Sequence, residues 1–521
     1  MHDQSIAKNY EAMSSDRDAF LHRARACAEL TIPTLMPPEG HTGATQFNTP
    51  FQSVGARGVN NLASKLLVTL LPPNTPFFRL TIDDFDLVEL GGDARGKAEE
   101  ALARIERSAT QIVESKAIRV PTFEALKQLI NSGNALVYMP PKQGMKVFRL
   151  DRYVVQRDTM GNMLKIIVKE TIAYDVLPDL VKEALLENPD YQADTNKKEC
   201  DLYTCVRRVG SKFEVHQEVH GIVIPDSKGS YKEENLPWLP LRFIAIDGED
   251  YGRGFVEEYA GDLKSLEALT RAIVEGSAAS AKLLFMVRPN GTTKIRNIAD
   301  SPNGGIISGD AQDVTTLQAN KFNDFRVAQE TMNTITERMS YAFLLNSSVQ
   351  RNAERVTAEE VRFMAQELET ALGGIYSVLS QEFQLPLVNL LLGKMQKEGK
   401  MPKFPKDTLK PQIVTGLEAL GRGQDLNKLS SFLQMLQPLG QEVIASELNI
   451  SDYLDRLGAS LGIDTQGLVK SDEQKQQEMQ QQQEMMQQQQ MMQMAQAAAP
   501  NAMKAVGDMG QEGAAQLAEE E

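Results

Sequence analysis

The chain has 521 residues, about three times the ~150 used as a soft prior per domain, so two to four domains are expected. It is 42% hydrophobic and 24% charged, and 55 Lys+Arg against 70 Asp+Glu leave a formal net charge of −15. That acidity excludes a protein that coats nucleic acid nonspecifically, because such binding runs on displaced phosphate counterions; surrounding nucleic acid without gripping it stays open.

The first ~130 residues read as mostly helical. Ser53 to Leu71 places Val54, Val59, Leu62, Leu66 and Leu70 near helical spacing, and Pro72-Pro73 ends it. A second helix is expected through ARGKAEEALARIERSATQIVESKA, and a third from Thr122 to Ile130, stopping at Ser132-Gly133-Asn134. The period then changes to two. Met145 to Leu150, Tyr153 to Arg157, Met163 to Ala173, Leu202 to Val209, Lys212 to Ile224 and Leu241 to Ile246 read as strands of an antiparallel block, with a hairpin turn at Thr159 to Asn162.

Helices return after Asp247. Phe255 to Leu283 carries Leu263, Leu266, Leu269 and Ile273 on one stripe and ends in the small-chained run Gly276 to Ala281. Residues 288–322 break the pattern with Pro289, Gly291, Pro302, Gly304-Gly305 and Gly309. A second long helix has Phe325, Ala328, Met332, Ile335, Met339 and Ala342 at alternating spacings of three and four, a packing seam. That seam fits either a hairpin of two core helices or contacts between neighbouring copies.

Asn346 to Val356 (NSSVQRNAERV) reads as a polar loop. The helix after it opens on a capping box of Thr357 and Glu360, with Val356 and Val361 as a hydrophobic staple. It carries Met364, Leu368, Leu372, Ile375 and Leu379, with kinks expected at Gly373-Gly374 and Pro386. Met401 to Pro411 reads as a Pro/Lys linker, and helices are expected from about Asp425 to Leu461. The Gln/Met-rich run from Gln474 to Ala499 has no apolar stripe wide enough to fold alone, so it is expected to be disordered, or helical only against a partner.

The search for chemistry finds little. His216 and His220 have the wrong order for H-E-x-x-H and lie in a strand pattern, where residues four apart stand roughly 13 Å apart, too far to share a metal. Cys200 and Cys205 lack a second ligand pair. Gly252-x-Gly254 lacks the third glycine of a dinucleotide turn, and Gly416, Gly421 and Gly423 lack the ending of a phosphate loop. No G-x-S-x-G elbow occurs. No catalytic, cofactor or metal residues are assigned. The three cysteines, Cys27 included, are too few for a disulfide framework and suit a reducing compartment. The polar N-terminus shows no secretory pattern, and the apolar run Leu66 to Leu71 is far short of the ~20 residues of a membrane span, so a soluble cytosolic chain is expected.

Several stretches together resemble the head-to-tail connector, or portal, proteins of short-tailed bacteriophages of the autographivirus type. They are TPFQSVGARGVNNLASKLLVTLLPP, FEALKQLINSGNALVYMP, YVVQRDTMGN, DGEDYGRGFVEEYAGDLKSLEAL, LLNSSVQRNAERVTAEEVRFMAQELETALGGIYSVLSQEFQLPLV and GLEALGRGQDL, in order over roughly residues 10–470. The resemblance implies a mainly helical α+β subunit of a dodecameric ring at one capsid vertex, through which DNA is packaged and ejected. It implies a wing over 1–254 (β block about 145–246), stem helices at 255–283 and 323–345, and a clip at 284–322. A channel loop follows at 346–357, then a wing return at 358–424, a crown at 425–470 and a tail at 471–521.

The implied partners are further copies of the chain, double-stranded DNA, the major capsid and scaffolding proteins, the terminase large subunit, and tail adaptor and internal core proteins, with no membrane and no cofactor. The implied location is the virion, at the vertex between capsid and tail, and the host cytoplasm during assembly. The stem contacts are expected at Leu263, Leu266, Leu269, Ile273, Phe325, Met332, Ile335 and Met339. Gln350, Arg351, Asn352 and Arg355 are the channel-loop candidates, and Arg288, Lys294 and Arg296 the clip residues for partner docking. Arg355 has a second reading, pairing with Glu359 or Glu360 at the helix start. A dodecamer at −15 per chain carries about −180, which suits a wall along which a duplex slides. The rival readings are a capsid-associated enzyme, which lacks a convergent site, and a non-catalytic helical scaffolding protein, which leaves the β block unexplained.

Overall fold

The structure, a computed structural model, describes residues 5–73, 76–82, 92–140, 144–187, 199–280, 284–317, 322–345, 372–401, 409–413 and 421–439, with isolated positions at 368 and between 448 and 490. It divides into two compact units, Met1–Glu89 with Leu102–Gly421, and Leu90–Ala101 with Arg422–Glu521.

In the first unit, α1 (Ile6–Glu29) and α2 (Val54–Leu70) precede strand β1 (Phe78–Ile82), helix α3 (Gly92–Ser115), which belongs to this unit only from Leu102 on, and helix α4 (Arg119–Ser132). Val54, Val59, Leu62, Leu66 and Leu70 of α2 are all buried, as their spacing requires, and each full burial is worth about 1.5–3 kcal/mol. The carbonyls that α2 leaves unpaired at its C-terminus find remote partners. Thr69 O accepts from Tyr376 Oη at 3.2 Å, and Leu70 O from Gln384 Nε2 at 2.8 Å. Helix α4 starts three residues earlier than the sequence reading and stops on Gly133, which is left-handed at φ 75° and donates its N–H to Leu129 O at 2.8 Å.

The β block is two antiparallel sheets. One holds β2 (Asn134–Tyr138), β3 (Lys146–Phe148) and β10 (Trp238–Arg242) in the order β10-β2-β3. The other runs β4-β5-β6-β7-β8, from Tyr153–Arg157, Met163–Ala173, Glu199–Val209, Lys212–Val219 and Ile222–Val223, with β9 (Gly229–Lys232) also on β7. The single strand expected over Lys212 to Ile224 is corrected: a turn breaks it at His220 (φ 46°) and Gly221 (φ 82°). His216 stays on β7 opposite Cys205, and His220 stands in the turn. Among the described residues no group of three or more His, Cys, Asp or Glu is placed to hold a metal. The three cysteines are free and buried, and burial pushes the Cys27 thiol up to about 12, where it is inert as a nucleophile.

Helix α1 is fixed to the larger sheet by polar anchors. Both Glu218 carboxylate oxygens accept from Ile6 N at the helix N-terminus, at 3.1 and 3.2 Å, where the dipole favours an anion. The buried Arg17 guanidinium donates to Tyr10 Oη and to the carbonyls of Leu150, Asp151 and Tyr153.

Leu409–Ile413, which overlaps the end of the Met401 to Pro411 region read as a linker, forms strand β13 against β1. Pro411 is tolerated because it faces Leu80. The Leu80 N–H turns away from the pair, to the buried Glu106 Oε1 at 2.8 Å, so no ladder hydrogen bond is lost at this position. After Leu372 the chain turns at Gly373 (φ 50°) and runs on as helix, with a π turn at Ser380–Gln384. Pro386 has no N–H for an α-type bond, and the widened turn lies just before it.

In the second unit, helix Gly421–Leu436 leads to a short turn at Gln437–Leu439, and Tyr453 Oη donates to Leu429 O at 3.2 Å. Residues 484–490 of the Gln/Met-rich run are helical and exposed.

Candidate functional site

The candidate site is a pair of long helices carrying a small β-hairpin at their far end. The sequence reading of one helix from Phe255 is corrected to two, α5 (Asp179–Leu186) being followed in chain order by α6 (Phe255–Glu258) and α7 (Ala260–Ser280), with a break at Tyr259. Then come β11 (Leu284–Val287), the short α8 (Ile295–Ala299), β12 (Val314–Leu317) and α9 (Phe322–Ala342).

Helices α7 and α9 run antiparallel, as three pairs at matched heights show. Asp262 meets Arg338 at 2.7 Å, Thr270 Oγ1 meets Met332 Sδ at 3.5 Å, and Gly276 lies against the Phe325 ring. Of the seam residues, Leu263, Leu266, Ile335 and Met339 are buried, while Leu269, Ile273, Phe325 and Met332 are half-buried. The root end packs into the main core through Phe255, Tyr259 and Phe343, whose rings are 5.0 to 6.0 Å apart. Toward the hairpin the helices emerge, leaving Val274 and Val327 exposed, and Tyr341 is exposed on the outer face at the root end. The two helices carry six acidic against four basic side chains.

Gly276 sets the spacing of the emergent part. A Cβ there would stand 2.6 Å from Phe325 Cζ. Gly276→Leu is expected to part the helices, with a stability loss of about 1–3 kcal/mol that Phe325→Ala in the same chain partly restores. Urea titration of the four chains of the double-mutant cycle measures this, and strict additivity would show that the two residues do not share the space.

Three glycines fix the root. Gly133, Gly252 and Gly254 lie where the turn after α4 crosses the segment entering α6. A Cβ on Gly133 would stand 2.2 Å from the Arg253 carbonyl carbon, one on Gly252 2.7 Å from Gly133 O, and one on Gly254 2.4 Å from Asn131 O. Asn134 clasps the crossing, donating from Nδ2 to Gly252 O at 2.8 Å and accepting from Gly252 N at 2.7 Å. The glycine pair that fails as a dinucleotide turn is a backbone crossing, for which a lone sequence carries no signal beyond the glycines themselves.

The exit of α9 is held as firmly. Asn61 Nδ2 donates to Phe343 O and Leu344 O at 3.0 and 2.9 Å, and Lys65 Nζ to Leu344 O at 3.0 Å. Leu344 is left-handed at φ 54°, and Leu345 N returns to Ser340 O at 2.8 Å. Gly58 gives Phe343 its space, since a Cβ there would stand 2.4 Å from the ring. Sequence reasoning missed Gly58, Asn61 and Lys65; the available signal was a lysine on the otherwise apolar face of α2. The segment that follows, with Gln350, Arg351, Asn352 and Arg355, lies outside the described residues, as do the Thr357–Glu360 capping box and the Val356–Val361 staple.

At the far end, Asp313 organises the region read as pattern-breaking. Its Oδ2 accepts from Thr293 N, Thr293 Oγ1 and Thr292 Oγ1 at 3.1 to 3.2 Å, and Gly291 passes close over the carboxylate. Burial raises its affinity for a proton, but the Thr293 and Thr292 hydrogen bonds outweigh that and hold the carboxyl below its ordinary value. Arg288, Lys294 and Arg296 are all exposed.

The comparisons agree with this geometry in extent. A family described as "Bacteriophage head to tail connecting protein" matches residues 3–469. The portal protein of Escherichia phage T7 is 42% identical over 480 residues, 90% of this chain and 89% of that one. The portal protein of Enterobacteria phage SP6 is 32% identical over 482 residues, 91% of each, and that of Pseudomonas phage phiKMV 31% over 470, 88% and 90%. The family match spans the crossing, both seamed helices and the anchored exit of α9 in one piece, and the chain belongs to the bacteriophage head-to-tail connecting proteins.

Proposed function

We propose that this chain is a portal subunit, copies of which close into a ring around a channel for double-stranded DNA at the junction of capsid and tail. The observation that carries this reading is the 42% identity to a named portal protein along nine-tenths of the chain. Its finer form is a dodecamer in which α7 and α9 are the stem, 284–322 the clip, 1–254 with 358–424 the wing, 425–470 the crown and 471–521 the tail. Val274, Val327 and Tyr341, exposed in the single subunit, are apolar surface that lateral neighbours in a ring would cover. The acid excess on the same helices disfavours tight phosphate binding, which suits a conduit through which DNA slides. The role is structural and calls for no cofactor. Capsid, scaffolding, terminase, adaptor and core proteins are the partners that this role brings, with clip residues Arg288, Lys294 and Arg296 available for docking.

Side and end views of the purified particle by electron microscopy test the ring. A closed annulus with an axial channel is expected, and a stable monomer over a wide concentration range would overturn it. Within this reading the segment 346–356 faces the channel, where guanidinium groups suit phosphate oxygens. Arg351→Ala is expected to leave rings intact and lower retention of packaged DNA, with a smaller or different defect for Arg355→Ala. Arg351→Ala particles that package, retain and eject DNA like the parent would remove Arg351 from that role.

A further inference from the structure

The tripeptide Pro-Asn-Gly occurs twice between β11 and β12, at 289–291 and at 302–304. An asparagine before glycine is open to intramolecular attack, because the following amide nitrogen has no neighbouring side chain to shield it and glycine reaches the required backbone angles. The two copies stand in opposite environments. Gly291 donates its N–H to Arg288 O at 3.1 Å, and the Asp313 carboxylate lies 2.4 to 2.5 Å from where its Cβ would be. That carboxylate is itself held by Thr292 and Thr293, so the turn has no room to rotate. Its negative charge also opposes loss of a proton from the Gly291 nitrogen.

At the second copy none of this holds. Gly304 sits at φ 83° in a turn closed by Gly305 N to Pro302 O at 2.9 Å, and nothing stands within 4 Å of its Cβ position. Among the described residues, neither the Gly304 N–H nor the Asn303 side chain makes a hydrogen bond. All the residues from Pro302 to Asp310 are exposed.

We infer that Asn303–Gly304 is a self-modification site, at which the apical loop converts its own asparagine amide to a carboxylate, while Asn290–Gly291 is held unreactive by the fold. The Gly304 nitrogen gives its proton to solvent base and attacks Asn303 Cγ. A C–N bond forms, the Cγ–Nδ2 bond breaks, and ammonia leaves. Water then opens the cyclic imide at either carbonyl, giving aspartate or isoaspartate; the sum is one water consumed and one ammonia released. Each converted subunit presents a new negative charge beside the exposed Ile306 and Ile307, so aged and fresh protein differ in the surface offered to a docking partner.

The test uses the full chain, incubated at mildly alkaline pH in native buffer and, in parallel, in concentrated urea. Peptide mass mapping with enzymatic isoaspartate detection follows both sites. In native buffer, conversion at 303 is expected about tenfold or more faster than at 290, the rate ratio that roughly 1.4 kcal/mol of extra barrier implies. In urea the two rates should converge, and Asn303→Gln should abolish the native signal. Equal native rates, no conversion at 303, or a ratio that survives urea would each overturn the inference.

Discussion

Gly133→Ala is expected to cost the subunit more than ~4 kcal/mol, in the range reserved for exceptional single changes. Left-handed backbone at φ 75° accounts for about 1–2 kcal/mol of this in any residue with a Cβ. The larger share comes from what the methyl meets. The Arg253 carbonyl carbon would be 2.2 Å away, its oxygen 2.5 Å and Gly254 N 2.6 Å, all backbone and unable to rotate aside. The turn after α4 would have to part from the segment entering α6, breaking the Asn134 clasp. Gly40 is the control within the chain: at φ 69° it has nothing within 4 Å, so Gly40→Ala should show the conformational cost alone. Urea midpoints of both variants, or soluble yield where Gly133→Ala fails to fold, measure the difference. Equal losses in the two variants would mean that the crossing relaxes.

Glu382→Ala is expected to lose about 3–5 kcal/mol, because it strands two guanidinium groups that the fold has taken out of water. Glu382 lies in the π turn and reaches β10, where its Oε1 accepts from Arg242 Nε and a second guanidinium nitrogen at 2.9 and 2.6 Å, and its Oε2 from the Arg242 backbone at 2.8 Å. Arg157 stands 3.9 Å away with its side chain only 6% exposed. Burial lowers the Arg157 affinity for its proton, and the Glu382 charge offsets only part of that loss. Arg157 also donates to Gly161 O, Asp250 O and Pro240 O, so it cannot swing out to solvent without breaking the hairpin tip. Glu382→Gln keeps the volume and one acceptor and should lose less than the alanine variant. Denaturant unfolding of the three proteins separates charge from packing: equal losses for Gln and Ala would assign the whole effect to the charge, and no loss in either would show that the cations rehydrate.

The α7–α9 pair was legible early because it is written in local periods. The seams from Leu263 to Ile273 and from Phe325 to Met339 step by three or four residues, and a helix turns such a repeat into one face whatever surrounds it. The β4–β5 hairpin is equally local. Asp158 Oδ1 accepts from Met160 N and Asn162 N, and Gly161 takes φ 83°, so five consecutive residues contain nearly all of the turn's chemistry. Strand β2 escaped because it is buried along its first four residues and shows no alternation to read.

Composition, the helical and strand periods, the turn residues and the family resemblance were thus determined by the sequence by itself. The tertiary structure alone decided that Pro411 belongs to a strand, that a helix widens before Pro386, that Gly133, Gly252 and Gly254 form one crossing, and that Asn61 and Lys65 hold the end of a helix about 280 residues away. The physical reason is the same in each case. A period is a property of neighbours along the chain, whereas a hydrogen-bond partner or a missing Cβ matters only through the atoms that folding brings beside it.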